Sequence, residues 1–480
     1  MVLTRRSVLG SLSAFAAETV LSGCDGASST RSSLWNPQPP PEGPLTSAAI
    51  SVSSQHVGQM GPAFAGLSYD KTAMYLPLFR PENSTLIELF RNLGPSMLRI
   101  GGYSVDLIHW AAGGPGLTSG QVAPTDIDAL AQFIQQTGWT VLYSVNLAFS
   151  TPADAAAEVA YASGALGKSL YGVELGNEPN IYGAYHYFPT WTPQDFEQRW
   201  QQFRDAIVQA TPDVVMTGPS CVAATTGWTL PFARDLGNEI GLLTQHYYRG
   251  SGLDPSSTIA EMLSQDSALT DDLALLKAAT DSIGIPFRLD ETNSFWAGGA
   301  IGVSDSYASA LWVIDHLFNI ALGGGAGANM TGGGNTGGYT PIADDNGVVV
   351  EARPEYYGLL LFSLAGQGDL LAASISAPAG LNLTAYAVAS SQGCRNIVVV
   401  NKDATTNLSL TIAPSGLASR AELWLLTGPA LDATSGTMIQ GSSVAQDGTF
   451  CPGSAYSLPV LDGTIRCYLG AASAALIRIS

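Results

Sequence analysis

Two stretches, Leu175-Gly-Asn-Glu-Pro-Asn180 and Arg288-Leu-Asp-Glu-Thr-Asn-Ser294, decide how this chain of 480 residues is read. Each places a glutamate, Glu178 and Glu291, at what reads as the outer end of a β-strand. The two lie 113 residues apart, inside a run of alternating strands and helices. In a parallel barrel the strand ends converge on one mouth, where side chains from different strands meet. Two carboxylates brought together in this way are the equipment of glycosidic bond cleavage, one donating a proton and the other attacking carbon.

Working outward, short apolar runs of strand type occupy 63–69, 97–101, 141–146, 170–175, 214–218, 241–247, 287–290 and 325–330. Amphipathic segments lie between several of them. Ile127, Leu130, Phe133 and Ile134 form one helical face. Thr192-Pro-Gln-Asp supplies an N-cap with proline just inside it. Eight strands separated by helices predict a catalytic (β/α)₈ barrel, the TIM barrel, over residues 62–350. An open doubly wound sheet is the rival, but no Gly-x-Gly-x-x-Gly turn follows the first strand. From about residue 365 the pattern changes to short alternating segments separated by Gly, Ser, Asn and Asp. Residues 351–480 therefore predict a helix and a C-terminal β-sandwich. Residues 46–61 alternate too and read as an N-terminal strand of that sandwich.

Composition narrows the ligand. Hydrophobic residues make up 46% of the chain, enough for a large packed core. Charged residues are only 12%, and the net charge is −19. That balance excludes nucleic acid and a long sulfated polysaccharide as the main partner, since no basic stripe meets their anions. A neutral or singly charged sugar terminus stays open.

The first 24 residues read as a targeting segment. Thr4-Arg5-Arg6-Ser7-Val8-Leu9 resembles a twin-arginine signal, and Leu21-Ser22-Gly23-Cys24 resembles a lipobox, although Glu18 interrupts the apolar stretch. An ordinary cleaved signal peptide is the alternative. Either predicts an exported protein (periplasmic, secreted or surface lipoprotein), with membrane contact only through a lipid on Cys24. Residues 25–45 read as a flexible tether. The remaining cysteines, Cys221, Cys394, Cys451 and Cys467, show no zinc spacing. Cys451 and Cys467 are close enough in sequence to bridge in an oxidising compartment.

Alternation along 170–178 puts Glu174 and Glu178 on the barrel interior, Glu174 deeper and Glu178 at the mouth. Glu174 is the natural structural acid, paired with a buried base. Glu291 shares a face with Phe287 and Leu289 by the same rule, while Asp290 points to the outer helical layer. A nucleophile must be ionised and a general acid must hold its proton. Arg99 faces the interior with Met97 and Gly101, where its guanidinium would hold Glu291 ionised. Tyr247 could add a hydrogen bond, and His246 could support the site. Glu178 has no cation in its own segment. No cofactor or metal is called for.

These motifs together resemble the heparanase and β-glucuronidase family, glycoside hydrolase family 79, within the clan of retaining (β/α)₈ glycosidases (clan A). The resemblance rests on Leu98-Arg-Ile-Gly-Gly102 with Asp106 downstream, Glu174-Leu-Gly-Asn-Glu-Pro-Asn180, His246-Tyr247-Tyr248, and Glu291 followed by a Gly-rich loop. It implies Glu178 as acid/base, Glu291 as nucleophile and Asn177 on the sugar 2-hydroxyl. It further implies Asp106 on hydroxyls of the terminal sugar and Tyr247 orienting Glu291. A uronic carboxylate would be read by the loop Ala297-Gly298-Gly299 and by Tyr339. The chain departs from heparanase in having Trp296 and Ala297 where that enzyme has Tyr and Gly, and Trp296 could instead stack on a sugar face.

The expectation is a monomeric, retaining exo-β-glucuronidase of bacterial type, acting on terminal glucuronic acid, 4-O-methylated or not. The alternatives are another glycosidase of the clan (arabinofuranosidase, β-xylosidase or β-glucosidase), an endo-acting heparanase-like enzyme, or a lipoprotein that only binds glycans. Endo cleavage is disfavoured because no Lys/Arg cluster lies in the predicted mouth loops.

Overall fold

The computed structural model describes residues 35–333, 338–389, 395–416 and 418–480. The export segment with Cys24, the first part of the tether, the middle of the second Gly-rich stretch (334–337) and Cys394 lie outside the described residues.

Strand β1 (Leu45–Met60) precedes eight parallel strands: β2 (Ala65–Asp70), β3 (Met97–Gly101), β4 (Thr140–Val145), β5 (Leu170–Leu175), β6 (Thr217–Val222), β7 (Leu242–Ser251), β8 (Phe287–Trp296) and β9 (Ala328–Gly333). Hydrogen bonding runs in the order β5-β4-β3-β2-β9-β8-β7-β6. The circle closes where the Val173 N–H donates to the Val215 carbonyl at 2.8 Å, just ahead of β6. Helices cover the outside, so the strands are buried on both faces and read as continuous apolar runs. Val141–Val145 has no exposed residue.

Three strands run further toward the mouth than their apolar runs predict. β6 starts at Thr217 rather than 214, β7 continues to Ser251 and β8 to Trp296. At this end the inward positions carry polar residues, such as His246, Tyr248, Glu291 and Asn293, so apolarity stops before the strand does.

A hairpin follows, β10 (Ile342–Asp345) and β11 (Val348–Ala352). After the helix Pro354–Leu364 come β12 (Gly368–Ser376), β13 (Leu383–Ala389), β14 (Arg395–Asn401), β15 (Asn407–Ala413), β16 (Ala421–Thr427), β17 (Thr464–Leu469) and β18 (Ser473–Ile479). With β1 and several short strands they form one eleven-stranded mixed sheet, curled around its own apolar core. β1 lies between β12 and β15, parallel to β15 from Leu45↔Asn407 to Ser51↔Ala413. The expected N-terminal strand is therefore an interior strand of this sheet.

Alternation explains how the sheet joins the barrel. Ile397 and Val399 of β14 point into the sheet's own core, while Val398 and Val400 join the core of the barrel. The docking surface is the helix Tyr307–Leu322, whose residues are buried almost all round. Phe318 stacks on Tyr386 with ring centroids 4.2 Å apart. Asp315 meets Lys402, Thr384 and Tyr386.

Two expectations need correction. The end of the predicted tether is fixed: Asn36 Nδ2 donates to the Ala455 carbonyl at 3.0 Å and Gln38 Nε2 to the Tyr468 carbonyl at 2.7 Å. Side-chain amides turned toward backbone carbonyls of the sheet and its edge hold a segment whose composition alone suggests freedom. Cys467 is a free thiol facing the sheet core from β17, so it does not bridge Cys451, which is itself disulfide-bonded. Cys221 is a free, buried thiol.

Candidate active site

The mouth of the barrel is organised by an irregularity in β8. Arg288 pairs with Thr244, but the next pair on that side is Glu291 with His246, so β8 spends three steps where β7 spends two. The same extra residue appears against β9, between Leu289↔Ala328 and Thr292↔Met330. This β-bulge breaks strict alternation. Phe287 and Leu289 pack outward in the apolar core, yet both Asp290 and Glu291 reach the interior. Asp290 is thus not in the helical layer, and Glu291 does not share the face of Phe287 and Leu289, contrary to alternation.

Glu178 arrives by another route. β5 ends at Leu175, and Glu178 sits at φ +49°, ψ +53° as the residue that starts the short 3₁₀ turn Pro179–Ile181. A non-glycine residue in the left-handed region is strained, and such residues concentrate at functional sites. The Glu178 N–H donates to the Ser220 carbonyl at 3.0 Å, which fixes the turn against β6. Nearest ligand atoms of Glu178, His246 and Glu291 lie within 4.8 Å of one another.

Arg99 is the fully buried cation beneath them. Its Nη1 donates to Glu291 Oε2 at 2.7 Å, Nε to Glu174 Oε2 at 2.8 Å, and Nη2 to Asn177 Oδ1 at 3.0 Å. Asp290 Oδ2 is 3.2 Å from Nε. Glu174 and Asp290 also share the hydroxyl of Ser220. One guanidinium facing three buried carboxylates leaves a surplus of negative charge. Glu174 absorbs part of it by holding a proton: burial, outweighing Arg99 and reinforced by Asp290, pushes its carboxyl up to about 7. His246 absorbs more. Burial alone would lower its pKa, but Glu291 and Asp290, with Glu178, raise it to about 10, so the ring is a cation.

Glu291 feels the opposite push. Burial raises its pKa, but His246 and Arg99, aided by a hydrogen bond from Tyr248, bring it below the ordinary value. The Tyr248 hydroxyl donates to Glu291 Oε1 at 2.7 Å. Tyr247 does not take this role; its hydroxyl donates to Asp266 Oδ1 at 2.8 Å, on the other side of the strand. Alternation carries the signal that was missed, since Tyr248 shares a face with His246 and Tyr247 cannot. The reading that Glu178 has no cation beside it, drawn from its own segment, needs correction: His246 of β7 stands 3.0 Å away, brought there by the fold and not by sequence proximity.

The remaining predicted residues divide. Asp106 is buried, and its carboxylate accepts from the N–H groups of Leu147, Ala148 and Asn177 and from the Tyr182 hydroxyl. It is a loop anchor; a sugar hydroxyl would have to displace one of four donors. Asn177 stands beside Glu178 with its amide oriented by Arg99. Tyr339 comes to the site: its ring stacks near Tyr248 with centroids 6.1 Å apart, and its hydroxyl faces both the Tyr248 hydroxyl and the Gly298 N–H. The Tyr339 N–H donates to the Gly298 carbonyl at 3.2 Å, so the two Gly-rich loops meet. A Cβ on Gly338 would fall 1.4 Å from that carbonyl, which is why glycine is needed there. Trp296 ends β8 half-exposed.

No protein-family model matches the chain. A β-glucuronidase from Aspergillus niger is 26% identical over 220 residues, 41% of this chain and 41% of that protein. A β-glucuronidase from Neurospora crassa is 23% identical over 224 residues, 40% of this chain and 39% of that protein. The match thus spans well under half the length of either relative. Among solved structures, a 4-O-α-L-rhamnosyl-β-D-glucuronidase from Fusarium oxysporum superposes with a TM-score of 0.74 at 19% identity, covering 89% of this chain and 99% of its own. A family 51 arabinofuranosidase from Xanthomonas axonopodis pv. citri gives 0.71 at 16% identity, covering 91% and 100%. The chain has the (β/α)₈-barrel-plus-sheet architecture of these glycosidases, and its distant sequence relatives are β-glucuronidases.

Proposed function

We propose that this chain is a retaining exo-β-glucuronidase. The observation that carries the reading is the Glu178–Glu291 pair at the barrel mouth, with Glu291 alone gripped by Arg99 and Tyr248. A carboxylate stabilised as an anion suits attack on the anomeric carbon, and Glu178, across the cleft, suits protonation of the leaving oxygen. Water deprotonated by Glu178 then releases the sugar from Glu291. The close approach of the two side chains supports retention, which calls for carboxyl groups about 5–5.5 Å apart; inversion needs more room for water.

The glucuronide preference draws on the two fungal relatives and on the meeting of the Gly298 and Tyr339 loops. Their contact supports a glycone pocket closed at one end, with hydroxyl and backbone donors for a uronic carboxylate. Export and lipidation at Cys24 form part of the same proposal on sequence alone. Labelled-fatty-acid incorporation that persists in Cys24→Ala would sink the lipid anchor.

The test is a set of initial rates on aryl β-glucuronide, β-glucoside, β-galactoside, β-xyloside and α-arabinofuranoside. Glu178→Gln and Glu291→Gln serve as controls, and NMR identifies the first-formed anomer. Preference for the glucuronide with a β-configured first product supports the proposal. An α-configured product would overturn retention, and preference for a neutral sugar would overturn the substrate while leaving the glutamate pair.

A further inference from the structure

Five Phe, Tyr or Trp rings are exposed among the described residues: Trp35, Tyr103, Phe149, Tyr185 and Trp296. Three of them, Tyr103, Phe149 and Tyr185, are joined into one row by Tyr187. Tyr103 meets Tyr185 edge-on at 5.3 Å between centroids, Tyr185 meets Tyr187 at 5.5 Å, and Tyr187 meets Phe149 at 4.8 Å. The row crosses the loops that follow β3, β4 and β5, so it borders the mouth rather than the outer wall of the barrel.

Its position relative to the two glutamates is one-sided. Tyr185 lies seven residues after Glu178 in the same loop. After burial, the charge of Glu178 is the largest influence on the Tyr185 hydroxyl, ahead of Tyr103 and Glu291. In the proposed function the Gly298–Tyr339 contact closes the glycone end of the site. The atom that Glu178 protonates belongs to the leaving group, which must therefore extend along the Glu178 loop.

The row is also firmly mounted. Asp106, in the same turn as Tyr103, accepts from the Tyr182 hydroxyl at 2.6 Å and so ties that turn to the loop of Tyr185. Trp191 Nε1 donates to the Pro179 carbonyl at 2.7 Å, and Trp191 stacks on Phe188 at 4.3 Å. Arg199 Nε donates to the Leu147 carbonyl at 2.7 Å, fixing the loop of Phe149. Half-exposed rings on a braced base offer apolar surface at little ordering cost, one ring by its face and its neighbour by its edge, whereas a structural cluster would bury them.

We propose that Tyr103 and Tyr185, backed by Tyr187 and Phe149, form a ledge on which the first sugar of the leaving group stacks. The inference rests on Glu178 being the acid that protonates the leaving oxygen. No Lys or Arg belongs to the ledge, so the ring it takes is a neutral pyranose presenting its C–H face, with the tyrosine hydroxyls left to meet sugar hydroxyls at the edge.

The experiment holds the glycone constant, using whichever sugar the aryl panel selects, and changes only the leaving group. One substrate is that sugar linked, in the anomeric configuration the panel selects, to a neutral hexose; the other is its methyl glycoside of the same configuration. The readout is the ratio of kcat/KM for the disaccharide to that for the methyl glycoside, in wild type, Tyr103→Ala, Tyr185→Ala and Tyr185→Phe. The ratio is expected to fall about tenfold in each alanine variant, as for a lost stacking partner, and to be retained in Tyr185→Phe. An unchanged ratio in both alanine variants overturns the ledge, whether the rates themselves hold or fall, because a merely structural role would affect both substrates alike. If the panel selects a neutral glycone, the glucuronide reading fails while this ratio still decides the ledge.

Discussion

His246 Nδ1 lies 3.0 Å from Glu178 Oε1 and 3.9 Å from Glu291 Oε1, so one buried imidazole faces both carboxylates of the site. Its Nε2 side faces Asp290 at 3.5 Å. The ring is a cation because acids surround it, and it repays them by holding Glu291 ionised. Replacing it with a neutral group of similar reach should therefore move the acid limb of the pH profile. In His246→Gln, kcat/KM is expected to fall by about 10²-fold, with the acidic inflection displaced upward as Glu291 loses its main counter-charge. A profile of unchanged shape would show that the imidazole serves packing only.

Tyr247 and Tyr248 offer a sharper comparison, since they are adjacent and point to opposite sides of β7. Tyr248→Phe removes a hydrogen bond to a charged group, about 1.5–3 kcal/mol. It should cost roughly 10- to 100-fold in kcat/KM and also raise the acidic inflection. Tyr247→Phe should leave the pH profile alone and lower the melting temperature through its lost bond to Asp266. Steady-state kinetics and calorimetry on the two variants check this, and equal kinetic losses would refute the assignment.

Arg99 should be the least replaceable residue in the barrel. Arg99→Met leaves Glu174, Asp290 and Glu291 buried without their shared guanidinium. Breaking such a network by removing one partner costs about 3–5 kcal/mol. Chemical denaturation should show that loss even in the absence of substrate. A variant as stable as wild type would mean that water or protonation neutralises the cluster instead.

The same cluster predicts how stability varies with pH. His246 has a folded-state pKa of about 10, above its unfolded value near ~6.5. Its contribution is complete below pH ~6.5 and is lost as pH rises through 10. Glu174, raised to about 7 from an ordinary 4.5, acts with the same sign over the window between those values, because the folded state binds the extra proton. Melting temperature should therefore decline from about pH 5 toward pH 10. Glu174→Gln should flatten the decline between pH 4.5 and 7. Thermal scans across this range test the sign, and a rise in that window would reverse it.

Much of this was legible in the chain. The eight apolar runs marked the barrel strands, and Gly-Asn-Glu-Pro with the second glutamate marked two converging carboxylates. The short tail segment 396–400 read as a strand, and the structure buries both of its faces. Orientation was harder. Alternation fails at the bulge in β8, so it misplaced Asp290 and brought Glu291 inward for the wrong reason. Glu178 reaches the mouth through a left-handed turn that has no period to read. Asp106 entered as a sugar ligand through the family resemblance, whereas its four donors, drawn from the loops after β4 and β5, are visible only in the fold. The contact of His246 with Glu178 joins residues 68 positions apart, a relation that folding alone establishes.

The placement of β1 between β12 and β15 ties residues 45–51 to residues 407–413 across the whole barrel. The chain makes a closed circuit, with the catalytic domain as the loop and a parallel pair of strands as the clasp. During synthesis the clasp cannot engage until nearly everything else has been made, so β1 must wait while the barrel strands emerge. Non-local pairing of this kind slows folding, and the final docking of the curled sheet is the step at which it would be felt. Once formed, the clasp resists pulling on the segment ahead of β1 in shear, because the load is shared along seven consecutive residue pairs. A domain held from that end would transmit force into the sheet and leave the two glutamates undisturbed.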